Sequence, residues 1–150
     1  FVENTVLADL AHRVAGGDRS FETYQQIRRY LQNRYPNMLP DAIERRATWG
    51  YSQHDDHLWK PLASAEALAQ LIEGLHTPWA DQFTEIRHPM THIRGSSSKL
   101  VSPTAWDRAK HARPHDRWVI APLADHYVPE VTPEIIIDEL STILTTQTKE

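Results

Sequence analysis

Two short apolar runs in the C-terminal part of the chain limit its possible folds more than any other feature. Met90-Thr-His-Ile-Arg94 and Arg117-Trp-Val-Ile-Ala121 have the length and composition of strands. Each is followed by a loop and then by a segment of helical periodicity. After the first come Gly95-Ser-Ser-Ser98, with the composition of a tight loop, and a helix opening at Ser102-Pro103 with Trp106 and Ala109 on its inner side. After the second come Pro122, a polar turn and Thr132-Pro133-Glu134. There a capping threonine, a proline at the first helical position and an acid in the first turn start the last helix. That helix is apolar at Ile136, Ile137, Leu140, Ile143 and Leu144. Strand–loop–helix, twice over, predicts parallel pairing and an α/β core. Two parallel strands do not make a stable sheet, because parallel sheets are buried on both faces and usually hold several strands. The rest of the sheet is therefore expected on a preceding segment, a companion chain or a symmetry mate.

The residues before these strands read as helices. Val2 to Val14 carries Val6, Leu7, Leu10 and Val14 on one stripe and stops at Gly16-Gly17. Glu22 to Arg34 holds Tyr24, Ile27, Tyr30 and Leu31 on one face and ends at Tyr35-Pro36. Pro40 to Tyr51 has Ile43, Ala47 and Trp49 as apolar positions. A helix capped at Ser64 runs through Leu75 with Leu68, Leu71, Ile72 and Leu75 inward, and Trp79 to Ile86 forms a shorter one. Between the third and fourth helices, Tyr51 to Leu62 reads as a short hairpin or loop with His54-Asp55-Asp56-His57 at its polar centre. The predicted division is a helical block over residues 1–86 and an α/β part over 87–150.

Composition narrows the function classes. A net charge of −4 leaves no nucleic-acid footprint, and no Lys/Arg block marks a membrane surface. No apolar run approaches the roughly 20 residues that span a bilayer. With no cysteine, disulfides and thiolate nucleophiles are excluded. The His54–His57 stretch lacks a third ligand at metal spacing, so it reads as a polar hairpin tip, and neither metal nor cofactor is expected. The first residues, Phe-Val-Glu-Asn-Thr, have neither a basic leader nor an initiating Met, so the chain reads as a piece of a longer one, with a cytoplasmic setting.

One residue stands out chemically. The second strand hands His126 to a loop just before the last helix, so a rigid element fixes the imidazole while the loop exposes it, as a general base requires. The other histidines read as ordinary: His92 packed in or beside its strand, His12, His76, His88, His111 and His115 on polar or terminal positions. Asp125 adjoins His126, but neighbours on extended backbone point in opposite directions. Ser96, Ser97 and Ser98 read as loop hydrogen-bonders, the Arg28-Arg29 and Arg45-Arg46 pairs as solvated helix faces, and most aromatic residues of the helical block as core.

His92-Ile-Arg-Gly95-Ser-Ser-Ser98-Lys-Leu-Val-Ser-Pro103 and Pro122-Leu-Ala-Asp-His126-Tyr-Val-Pro-Glu130 stand in the order and spacing of the last two strands of an α/β-hydrolase, which the chain resembles over about residues 89–145. The resemblance implies the α/β-hydrolase fold as a partial chain, a helical cap (residues 1–86) followed by the last two parallel strands and their helices. It also implies a Ser–acid–His triad with the serine on a Gly-x-Ser-x-Gly elbow. No such elbow is present, so the nucleophile and oxyanion hole are expected in an N-terminal half outside this chain. His126 matches the family's histidine, which takes the serine proton and returns it to the leaving group. The usual acid position, three residues after the glycine, is Ser98, followed by Lys99 where relatives often have Asp. In members with this pattern the acid commonly ends the sixth strand, which here falls before Phe1. Because such caps close over the substrate, Trp59 is the candidate to line an apolar pocket above His126.

The function expected is that of an α/β-hydrolase-fold enzyme acting on a small, partly apolar ester, lactone, epoxide or related carbonyl substrate. Its partners are that substrate and the N-terminal half of the core, on the same precursor or a companion chain, without nucleic acid or membrane. The alternative is a catalytically degenerate, hydrolase-like binding module, on the strength of Ser98 and Lys99.

Overall fold

In the computed structural model, which describes residues 4–15, 19–77 and 80–147, helices begin where the sequence can cap them. Helix α1 (Asn4–Ala15) is followed by α2 (Tyr24–Arg34), which Thr23 and Gln26 open with a capping box. The Thr23 hydroxyl accepts from the Gln26 N–H while the Gln26 side chain accepts from the Thr23 N–H. Helix α3 (Pro40–Trp49) starts on a proline that needs no hydrogen-bond partner for its nitrogen. Strands β1 (Tyr51–Gln53) and β2 (Trp59–Pro61) form an antiparallel hairpin with Ser52 opposite Lys60. At the tip of the hairpin His57 takes a positive φ of 63°, and Asp56 accepts from the Leu58 N–H and Lys60. Helix α4 (Ala65–Leu75) begins as predicted, with the Ser64 hydroxyl accepting from the Ala67 N–H at 3.1 Å. The proposed stop at Gly16-Gly17 and the residues Pro78 and Trp79 lie outside the described residues.

The chain divides into two units, residues 2–78 and 79–150. In the first, α1 packs on α4 and α2 on α3, and Leu7, Ile27, Leu31, Met38, Ala42, Ile43, Ala47 and Ile72 are buried. Two expectations fail here. Trp49 is 77% exposed, because it lies two residues past Ala47, about half a helical turn away, on the face opposite Ile43 and Ala47. Leu71 is 59% exposed and Leu68 is also exposed, since α4 buries only the strip around Ile72 that meets its neighbour. The arginine pairs are also less free than expected: Arg28 Nε lies 2.9 Å from Glu44, and the Arg46 guanidinium sits over the Tyr35 ring.

The second unit holds α5 (Ala80–Glu85), β3 (Thr91–Gly95), α6 (Pro103–Ala112), β4 (Arg117–Ala121), α7 (Val128–Val131) and α8 (Pro133–Gln147). Strands β3 and β4 pair in parallel, from Thr91 opposite Arg117 to Gly95 opposite Ala121, with α6 as the crossover. The single turn α7, absent from the sequence expectation, interrupts the path from His126 to the last helix. The Thr132 hydroxyl, expected to cap α8, is buried without a partner, because Thr132 closes α7 instead. Ala121, Ala124 and Val128 form the core, covered by Ile93, Val131, Ile135 and Ile136.

Charge anchors the beginnings of the two strands. Asp116, just before β4, accepts from Arg113, from the Met90 N–H and from His92, whose Nε2 is 2.8 Å away. Arg113 also donates to the carbonyls of Phe83, Ile86 and His88, tying the segment that enters β3 to the end of α6. The Arg113 guanidinium holds the Asp116 carboxyl well below the usual carboxylate range, with His92 adding to the effect. Farther along, Arg117 pairs with Glu139 and pins β4 to α8.

Of β3 and β4, only the edge that each turns to the other is paired among the described residues. Ile120 on β4 is exposed, as are Ile137, Leu140, Ile143 and Leu144, a second apolar stripe of α8 beside the one over the core. No helix among the described residues is long and apolar enough to cross a membrane.

Candidate active site

At the far ends of β3 and β4 two loops cross at close range. An added Cβ at Gly95 would lie 1.7 Å from the Asp125 carbonyl oxygen and 2.6 Å from that of Ala124, so only glycine lets the backbones approach this closely. The Ser96 N–H donates to the Ala121 carbonyl at 2.8 Å and the Ser97 N–H to that of Ala124 at 2.9 Å, stitching the loops together. Pro122 and Leu123 make the turn out of β4, with Leu123 at a positive φ of 60°, a conformation a side chain of this kind seldom adopts. Ala124 is buried, and His126 follows on the exposed side of the loop.

The loop of residues 96–101 is organised from within by Arg94. This buried arginine donates to three carbonyls, those of Val101 (2.6 Å), Ser98 (3.2 Å) and Ser96 (3.5 Å). The hydroxyl of buried Ser98 accepts from the Val101 N–H at 3.3 Å and stands 3.4 Å from His126 Nδ1. The Asp125 carboxylate accepts from the Tyr127 N–H at 2.8 Å, so its direct bond is to the backbone of its own loop. The Tyr127 ring meets the imidazole edge-on at 5.7 Å.

Partial burial lowers the His126 pKa below its ordinary 6.5, and the nearby Asp125 charge pulls it back up. The net lowering favours the neutral imidazole, the form that accepts a proton. Trp59 lies in the first unit, half-buried, its ring edge-on to Tyr24 at 5.7 Å and its backbone paired with Phe21. Among the described residues no group of three or more His, Cys, Asp or Glu could hold a metal ion.

Ser98, a loop hydrogen-bonder as the sequence suggests and a serine where a carboxylate commonly stands, meets His126, a partner that the sequence reading does not give it. The signal was available in Arg94, a lone arginine between Ile93 and Gly95, because a charge on a strand that must be buried calls for loop carbonyls to bind it.

No family model matches the chain. Over 144 residues, 96% of its length, it is 39% identical to 2-(acetamidomethylene)succinate hydrolase of Mesorhizobium japonicum, of which it covers 51%. The crystal structure of an E-2-(acetamidomethylene)succinate hydrolase superposes with a TM-score of 0.87 at 39% identity, over 97% of this chain and 54% of that one. An α/β hydrolase from Novosphingobium aromaticivorans superposes with a TM-score of 0.63 at 22% identity, over 83% of this chain and 46% of that one. The chain thus spans about half the length of the relatives it matches. The parallel pair, its crossover helix and the loop bearing His126 therefore have the fold of the C-terminal half of an α/β-hydrolase.

Proposed function

We propose that these residues belong to a cytoplasmic α/β-hydrolase-fold enzyme in which His126 is the general base of a Ser–acid–His triad completed outside this chain. His126 Nε2 would take the proton of a serine as its oxygen attacks a carbonyl, and would return it to the leaving group. The observation that carries the reading is the placement of His126. It follows the last strand on an exposed loop, at the carboxyl end of a parallel pair, where α/β sheets bind ligands, and its surroundings shift its pKa toward the neutral form a base needs. The substrate proposed is a small carbonyl compound of the kind that the 39% identical 2-(acetamidomethylene)succinate hydrolase is named for, and that likeness supports the reading. The unpaired edge of β3 and the bare apolar surfaces of β4 and α8 are assigned to the N-terminal half of the core, from the same precursor or a companion chain.

In the complete protein, His126→Ala is expected to lower both hydrolysis of 2-(acetamidomethylene)succinate and labelling by a fluorophosphonate probe by about a thousandfold. Unchanged turnover in that variant would refute the assignment.

A second reading, a catalytically degenerate binding module, draws on Ser98, which offers His126 Nδ1 a hydroxyl in the place where a carboxylate commonly stands. A complete protein that resists the fluorophosphonate probe would favour it.

A further inference from the structure

We propose that Ser98 is a positioning residue for His126: it accepts a hydrogen bond from the imidazole Nδ1–H and so holds the tautomer that leaves Nε2 free to take a proton. The inference rests on reading His126 as the base, and it adds a residue to that site. The Ser98 oxygen stands 3.4 Å from Nδ1 and already accepts from the Val101 N–H at 3.3 Å. A hydroxyl oxygen has two lone pairs, so one remains for the imidazole. The loop around it leaves little freedom. The Ser98 N–H donates to the Gly95 carbonyl at 3.0 Å, and Arg94 binds the carbonyls of Ser98 and Val101 on either side of the hydroxyl. The Ser97 N–H bond to Ala124 then fastens this loop to the one carrying His126.

At 3.4 Å the contact is long for an N–H···O bond. It would strengthen when His126 takes up a proton, because the donor then carries charge. An interaction that is weak in the resting state and stronger as charge develops contributes to the rate, not only to binding. A carboxylate supplied from outside this chain would address the same Nδ1–H, balancing the charge while Ser98 sets the direction. Ser98 itself, a neutral hydroxyl, is too weak a base to take the proton.

The test uses the complete protein, a fluorophosphonate probe and 15N-labelled histidine. Ser98→Ala is expected to slow labelling about fivefold near neutral pH, the size of one lost hydrogen bond. In its NMR spectrum the Nδ1–H of His126 should exchange faster with water. Ser98→Thr, which restores the hydroxyl, should return labelling to within about twofold of the parent. If Ser98→Ala fails to fold, Ser98→Cys keeps the shape with a poor acceptor and should be slow as well. A parental labelling rate with an unchanged Nδ1–H signal in the alanine or cysteine variant would overturn the proposal, as would a threonine variant as slow as alanine. His126→Ala separates the two readings. If it still labels, the assignment of the base itself falls; if it is silent while Ser98→Ala matches the parent, only the role of Ser98 falls.

Discussion

The β3–β4 pair carries a histidine at each end, and the two are held differently. At the entry to the strands, His92 stacks on Trp118 with ring centroids 4.0 Å apart, and its Nε2 meets Asp116 at 2.8 Å. At the exit, His126 has the Ser98 hydroxyl at 3.4 Å and is otherwise exposed. By pairing alone, His92 is the better candidate for a His–Asp dyad. Its surroundings argue otherwise. Asp116 is saturated by Arg113 and the Met90 N–H, and the ring is covered by Trp118 and neighboured by Phe83. The His92 Nε2 is spent on Asp116 and the ring is largely covered, so little of it faces a substrate. His126 has an unspent nitrogen on the side where parallel strands place their ligands. Exposure on a loop at the carboxyl ends of the strands, rather than the presence of a partner, distinguishes the two.

The comparison is broken most severely at Gly95. Gly95→Ala drives a methyl group into the Asp125 carbonyl, so the loops must part. A loss of about 3 kcal/mol or more in urea unfolding is expected, with displacement of His126. At the entry, Asp116→Asn leaves Arg113 without its counter-charge and should lower stability by the same measurement, by less than Gly95→Ala. Because the folded state lowers the pKa of Asp116, its contribution is fully present above the ordinary 3.8 and is lost as the pH falls through the folded value. The stability gap between parent and variant should therefore close in acid. An unaltered gap at low pH would show that the entry cluster is held by packing instead. The smallest effect sharpens the exit. Asp125 raises the His126 pKa against the pull of burial, so Asp125→Asn should move the NMR titration midpoint of His126 further below 6.5. An upward movement would mean that the Asp125 side chain acts mainly through the Tyr127 N–H it accepts.

Much of this architecture was legible beforehand because its determinants are local. The capping serines at Ser64 and Ser102, the prolines opening α3 and α6 and the strand-like runs at β3 and β4 each act over a few residues, and each appears where the sequence placed it. Exposure was harder to read. Trp49 and Leu71 are apolar residues on helices, and only the position of the neighbouring helix decides which part of an apolar stripe is covered. Thr132 failed as a cap for a similar reason: the turn of α7 ends on it and takes its backbone into another role.

By itself, the sequence determined that a parallel pair with a helical crossover would end in a loop bearing His126, and that neither a Gly-x-Ser-x-Gly elbow nor a cysteine nucleophile would come from these residues. Only the tertiary structure decided what surrounds that histidine. Ser98 and His126 are 28 residues apart, and their meeting depends on the register of β3 against β4, on the missing side chain of Gly95 and on Arg94 gathering the carbonyls of its own loop. Register and close backbone approach are set by the sum of many weak contacts across the sheet, and no single stretch of chain encodes them.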